Sequence, residues 1–163
     1  MKGRKHGFSL IELVIVIVIL AVISAIALPR ISRGAKGADE SAIGQNLAVL
    51  RSAIEMYSAE HGGTFPGTDE ATFVAALTKY SNKSGTTADA KDTASGTVYG
   101  PYLHKIPPLT VGANAGKNSV TVAVTAPVAG GATGWVYSSK TGQIIANCAD
   151  TEVGESGTKY NSW

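Results

Sequence analysis

The chain has 163 residues, enough for one domain of ordinary size or for a small domain with an appendage. Charged residues make up only 16% of it and the formal net charge is +2. This composition excludes a disordered polyelectrolyte and a basic coat protein, so no nucleic acid is expected as a partner. The single cysteine, Cys148, cannot close an intrachain disulfide or build a cysteine-based zinc site, and we expect it to be a small buried residue.

An apolar segment covers residues 8–28 and follows three basic residues, Lys2, Arg4 and Lys5. As a helix of about 21 residues it would span about 30 Å, the thickness of a bilayer core. Two interpretations compete. One is a cleaved secretory signal, in which Ala25-Ile26-Ala27 is the small-x-small cleavage site; the other is a retained membrane helix. The length of the apolar segment and the position of Glu12 near its start favour the membrane helix.

Glu12 is the one acidic residue of this segment. A carboxylate near the membrane core costs about 2.5–3.5 kcal/mol on insertion scales, so such a residue normally has a partner. No basic side chain lies one helical turn beyond it. Cutting the chain after Gly7 would place a new α-amino group on Phe8, about one turn from Glu12, in the same chain or in a neighbour. The alternative is that Glu12 is a tolerated polar residue near a helix end.

The N-terminal residues carry a family resemblance. The leader Lys2-Gly3-Arg4-Lys5-His6-Gly7, followed by Phe8-Ser9-Leu10-Ile11-Glu12-Leu13, resembles the cleavage motif of type IV pilins and pseudopilins. The resemblance implies that a prepilin peptidase cuts after Gly7 and methylates Phe8, and that Glu12 pairs with the terminal amine of an adjacent subunit. It divides the chain into a leader at 1–7, a transmembrane and assembly helix at 8–28, and a periplasmic globular domain at 29–163.

The apolar segment leads into a second helical pattern. Pro29 lies at its end, where we expect it to bend or locally melt the helix. Gly62-Gly63 is a natural helix stop, so one helix is predicted from about Phe8 to about His61. Its second half is amphipathic and should cover the domain core and also contact other subunits. The apolar face recurs at steps of four and three residues: Ile43, Leu47, Leu50, Ile54 and Tyr57.

Residues 64–110 are predicted to connect this helix to the C-terminal third. Thr68-Asp69-Glu70 is a helix start, with Phe73, Leu77 and Tyr80 at helical spacing after it. Residues 81–96 are polar and predict an exposed, mobile loop.

The C-terminal third shows β patterns. Val120, Val122 and Val124 alternate with small or polar residues, and short apolar strands are predicted at 135–137 and 144–146 around a tight turn at 140–143. Two hairpins would make an antiparallel meander over 119–147, covered by the amphipathic helix. The predicted fold class is therefore α+β: a long N-terminal helix on a small antiparallel sheet. Residues 102–108, 134–137 and 141–147 are similar to the major pseudopilin of type II secretion systems.

No residue pattern points to catalysis. The three histidines, His6, His61 and His104, are scattered, and no triad order, phosphate loop or carboxylate pair stands out, so we expect a protein that is not an enzyme and has no cofactor. The tail at 148–163 offers one metal hypothesis, because carboxylates on a flexible loop suit Ca²⁺. The candidate ligands are Asp150, Glu152 and Glu155; the resemblance implies a C-terminal Ca²⁺ site, and the alternative is a solvated acidic tail.

These expectations combine into a filament subunit. The resemblance implies a single-pass protein of the bacterial inner membrane with a cytoplasmic N-terminus, held in lipid before assembly and then in a periplasmic filament. Its partners would be copies of itself, minor pseudopilins, the prepilin peptidase, the inner-membrane assembly platform and the secretion ATPase. Two alternatives stay open: a surface pilus subunit for adhesion, motility or DNA uptake, and a secreted soluble domain behind an ordinary signal peptide.

Overall fold

A single helix, α1, runs from Leu10 to Glu60 and confirms the long helix expected from the sequence. The computed structural model describes residues 8–163, so the leader predicted at 1–7, including Gly7, lies outside the described residues. The chain divides into two units, one ending at Ala38 and one covering Asp39–Trp163.

The helix is not interrupted at Pro29, where the sequence predicts a bend or a melted stretch. Proline removes one backbone donor, yet the helical hydrogen bonds on either side of it continue, as they do in many membrane helices. A melted stretch is therefore absent from the isolated chain, and a bend at Pro29 stays a prediction. A lower helical order around Pro29 in an assembled filament, where neighbours can satisfy exposed backbone groups, stays a prediction.

The first unit contains a helical segment, Leu10–Leu28, with the length and composition of a membrane span. Its mean hydropathy is 3.1 and none of it is buried within the chain. Among residues 8–163 it is the one helix that meets these criteria. A helix that is apolar on every side and unpacked against its own chain requires lipid or other protein around it.

The second unit forms its core on one face of α1. The five apolar positions predicted from the helical spacing, from Ile43 to Tyr57, are all buried. They belong to one hydrophobic cluster with residues from a second helix and from the main sheet, including Phe73, Leu77, Trp135, Tyr137 and Ile144.

The second helix, α2, covers Glu70–Thr78 and confirms the start predicted at Thr68–Glu70. Asp69 caps it, because its carboxylate accepts a hydrogen bond from the backbone N–H of Thr72 at 3.0 Å. The Thr72 hydroxyl accepts one from the backbone N–H of Asp69 at 3.2 Å, which completes a capping box. The hydrogen bond from the Thr72 backbone N–H is the largest cause that lowers the pKa of the Asp69 carboxyl group. The helix ends before Tyr80, which lies in the first strand and not on the helix as its spacing suggests.

Residues 81–96, predicted to be a loop, contain part of a small hairpin. Strands β1 (Tyr80–Ser81) and β2 (Thr87–Ala88) pair in antiparallel fashion. The Asn82 carboxamide oxygen accepts hydrogen bonds from the backbone N–H groups of Ser84 at 3.1 Å and Thr86 at 3.0 Å. This side chain closes the turn, which is why a polar segment with little to bury still pairs.

The main sheet has three strands in the order β3 (Val120–Ala123), β4 (Trp135–Ser138) and β5 (Ile144–Ala146). The β4–β5 pair is antiparallel, as predicted, with Trp135 opposite Ala146. The β3–β4 pair is parallel, with Val120 opposite Trp135, so the predicted antiparallel meander over 119–147 is wrong for its first strand. The segment 124–134 approaches the dozen residues that a parallel crossover needs, and it returns the chain to the end of the sheet where β3 began. The α+β class itself is confirmed.

Asn147 fastens this crossover to the end of β5. Its side chain is 2% exposed and donates to the carbonyl oxygens of Gly130 and Thr133, each at 2.9 Å. Its own oxygen accepts from the backbone N–H of Gly130 at 2.7 Å. The buried amide of Asn147 makes hydrogen bonds through both its oxygen and its nitrogen. It holds the crossover in one conformation, since the backbone groups that it bonds would otherwise lack partners.

We expect Asn147→Ala to lower the free energy of unfolding of the second unit by about 2–3 kcal/mol, because backbone groups at Gly130 and Thr133 lose their partners. Urea unfolding of the detergent-solubilised chain, followed by the fluorescence of Trp135 and Trp163, measures the change. Asn118→Ala, at an exposed position, is the matched control and should stay within about 0.5 kcal/mol of wild type. Equal stability of the two variants would contradict the fastening role.

Candidate assembly site at the start of the long helix

The start of α1 brings Glu12 back onto its own backbone. One carboxylate oxygen, Oε2, accepts a hydrogen bond from the backbone N–H of Ser9 at 2.9 Å. The Ser9 carbonyl accepts from the N–H of Leu13 at 3.2 Å, so Ser9 is the residue that flanks the helix. Glu12 therefore lies in the first turn, where a negative charge is favoured by the helix dipole.

The partner of Glu12 in the isolated chain is thus a backbone amide. In the sequence, this hydrogen bond is indicated by the Ser9-x-x-Glu12 spacing, which is the pattern of a capping box. The charge of Glu12 considered alone does not reveal it. A hydrogen-bonded carboxylate at a helix start costs less to insert than a bare one. The hydrogen bond from Ser9 does not use all the acceptor positions of the Glu12 carboxylate. A carboxylate has about four such positions and can also bind a neighbouring ammonium group.

Phe8 lies directly before this turn and is 86% exposed. A cut after Gly7 would make its nitrogen an α-amino group adjacent to the Ser9 N–H that Glu12 already binds. The structure thus places Phe8 and Glu12 at the same end of the apolar helix, while Gly7 itself lies outside the described residues.

Of the two histidines that the structure describes, His61 is a buried residue and His104 is exposed. His61 is buried and stacks on Tyr57, with ring centroids 3.8 Å apart. Its Nδ1 lies 2.8 Å from the Tyr57 carbonyl oxygen and its Nε2 lies 3.0 Å from the Ser81 hydroxyl. Both ring nitrogens are therefore engaged, and the ring links the end of α1 to β1. His104 is exposed on the segment between the two sheets.

Cys148 is buried, as expected for a small core residue. Burial, together with the nearby charge of Glu152, raises the pKa of its thiol to about 11. The side chain is therefore a protonated thiol at neutral pH, and a thiol is a weak nucleophile and a poor metal ligand.

The three acidic residues of the tail do not converge. Both oxygens of Asp150 are bonded, one to the Asn161 amide at 2.8 Å and one to the Lys159 ammonium at 2.7 Å. The hydrogen bond from Lys159, followed by that from Asn161, lowers the pKa of Asp150. Glu152 accepts from two backbone N–H groups, those of Ala113 and Ala149.

This donor set does not fit a Ca²⁺ ion as arranged. Calcium takes six to eight oxygen ligands, and the oxygens of Asp150 and Glu152 already face N–H donors. Glu155 contributes its backbone N–H, which donates to the carboxylate of Glu40 on α1. Within residues 8–163 no group of three His, Cys, Asp or Glu side chains is placed to hold a metal.

Comparison with known proteins identifies the N-terminal region. The family model described as the prokaryotic N-terminal methylation motif matches residues 2–28. No curated protein and no solved structure matches the chain. The matched range contains Gly7, Phe8 and Glu12 and ends where the membrane-capable segment Leu10–Leu28 ends. The chain therefore carries a pilin-type prepilin signal on an apolar helix, a combination that supports the pilin and pseudopilin family and a structural subunit processed by a prepilin peptidase.

Proposed function

We propose that this chain is a structural subunit of the pseudopilus of a type II protein secretion system, which drives the export of folded proteins. The observation that carries the proposal is that the methylation motif at residues 2–28 includes the helical segment Leu10–Leu28, which is apolar on all sides and unpacked against its own chain. Such a helix is suited to two environments in turn, the bilayer and a bundle of identical helices.

The mechanism begins in the inner membrane. Lys2, Arg4 and Lys5 keep the leader on the cytoplasmic side, and the prepilin peptidase cuts between Gly7 and Phe8 and methylates the new terminus. Glu12 is held by the Ser9 amide while the subunit lies in lipid. On assembly, the Phe8 amine of a neighbour supplies the opposite charge, and the loss of lipid contacts is offset by packing against other copies. The second unit then coats the filament in the periplasm.

Two features support the pseudopilus over a surface pilus. The single cysteine cannot close a C-terminal disulfide, and the segments at 102–108, 134–137 and 141–147 are similar to the major pseudopilin. In this proposal the partners are minor pseudopilins, the inner-membrane assembly platform and the secretion ATPase. A surface pilus subunit for adhesion, motility or DNA uptake is the alternative.

Deletion of this chain in its host tests the proposal. We expect folded exoproteins to accumulate in the periplasm, by at least about tenfold over wild type, while surface fibres and DNA uptake are unchanged. Re-expression of the wild-type chain is the control and should restore export. Normal export with loss of surface fibres would instead identify a pilus subunit. N-terminal sequencing of the mature chain tests the third possibility, a secreted soluble domain behind an ordinary signal peptide. Such a domain would begin at Leu28, whereas a pilin-type subunit begins at Phe8.

A further inference from the structure

The C-terminal segment, residues 148–163, packs against the rest of the second unit, although its acidic residues Asp150 and Glu155 are exposed. Glu40 on α1 accepts hydrogen bonds from the Glu155 backbone N–H at 2.8 Å and from the Tyr160 hydroxyl at 3.0 Å. Burial, followed by the bond to Glu40, raises the pKa of Tyr160 to about 12. The hydroxyl therefore stays a donor to Glu40 across the neutral range.

The last residues of the segment dock on the same helix farther along. The Arg51 guanidinium donates to the carbonyl oxygen of Trp163 and, at 3.3 Å, to that of Ile144. The Trp163 indole lies over Gly44, where an added Cβ would be 3.6 Å from the ring. Glu40, Gly44 and Arg51 share one face of α1, because they are separated by four and seven residues.

Between these two contacts with α1, the segment is held together by a backbone bridge and an ion pair within itself. Val153 and Lys159 form an antiparallel bridge, which turns the chain back on itself. The Lys159 ammonium then reaches Asp150 at 2.7 Å, and Asn161 bonds the other oxygen of the same carboxylate. Glu152 ties the segment to the preceding loop through the backbone of Ala113.

We propose that Lys159 occupies the role of a bound cation in this segment, so that the second unit folds and keeps its C-terminal segment docked without Ca²⁺. A divalent ion near Asp150 would face an ammonium within a few ångströms, and like charges at that distance repel. It would also have to displace the N–H donors of Asp150 and Glu152, which supply the polar contacts that calcium would otherwise make. The proposal holds for either kind of filament, because it concerns the folding of the second unit alone.

Thermal unfolding of the full chain in detergent, first treated with EGTA, tests the calcium half of the proposal. The probe is CaCl2, added up to 5 mM, with MgCl2 as the control for ionic strength. We expect Tm to change by less than about 1 °C. A true site filled at a hundred times its Kd would raise Tm by roughly 5–15 °C, and a rise of that size with calcium but not with magnesium would overturn the proposal.

Variants of Lys159 test the ammonium itself. Lys159→Met keeps the length of the side chain and removes its charge, and we expect Tm to fall by about 1–5 °C. The fall is modest because the side chains of Lys159 and Asp150 are 49% and 71% exposed. Lys159→Arg should stay closer to wild type, and Lys140→Met, an exposed lysine of the β4–β5 turn, should leave Tm unchanged. A Lys159→Met chain that melts with wild type would refute the role of the ammonium.

Discussion

Replacing Gly7 by valine is expected to leave the chain in the membrane with its leader attached. The residue before the cut must let its backbone approach a peptidase closely, and glycine alone has no side chain to obstruct that approach. A misplacement of about 1 Å at a scissile bond costs roughly a hundredfold in rate, so the mature species should fall below detection in cells. Intact-mass spectrometry of the membrane fraction distinguishes the precursor from a chain that begins at Phe8.

Gly3→Val is the matched control, because Gly3 lies in the same leader but away from the cut. It changes the same type of residue in the same way, and we expect processing at the wild-type rate. Efficient production of a chain starting at Phe8 from Gly7→Val would contradict the assigned cleavage site. If processing of both variants were blocked equally, valine would be disturbing the leader as a whole and not the position of the cut.

Either of two substitutions at Glu12 is expected to impair filament assembly strongly while sparing insertion and cleavage. Glu12→Val removes a carboxylate that costs about 2.5–3.5 kcal/mol in the bilayer, so the helix should enter the membrane at least as well as wild type. As the sole subunit it should give at least about tenfold less filament, because a neighbouring amine has no counter-charge. Sheared-filament yield, normalised to processed subunit, measures the effect.

Glu12→Gln distinguishes the two partners of this residue. Its amide oxygen can still accept the hydrogen bond from the Ser9 N–H, but it carries no charge for an amine. If pairing between subunits is the role, the glutamine variant fails as the valine variant does. If capping of α1 is the role, it assembles normally. We expect failure, and Glu55→Gln, an exposed glutamate farther along α1, should assemble as wild type does.

Local patterns in the sequence are sufficient to predict the extent of the long helix and its buried face. Ile43, Leu47 and Leu50 recur at helical spacing, and the apolar segment that precedes them is long enough to cross a bilayer; neither feature depends on what the rest of the chain does. The same holds for the N-terminal motif, in which Gly7, Phe8 and Glu12 lie within six consecutive residues and matter by their order. These features, together with the α+β class, are predictable from the amino-acid sequence alone because each depends on neighbouring residues.

Two of the features that escaped prediction join residues far apart in the chain. Alternation in Val120–Ala123 predicts a strand but not its partner, and only the crossover, fastened by Asn147, makes that strand parallel to β4. The acidic tail has the composition of a solvated segment, and its docking rests on Glu40 and Arg51 of a helix more than a hundred residues earlier. A one-dimensional pattern records which faces are apolar, whereas the pairing of strands and the partners of charges are settled only when tertiary packing brings distant residues within hydrogen-bonding distance.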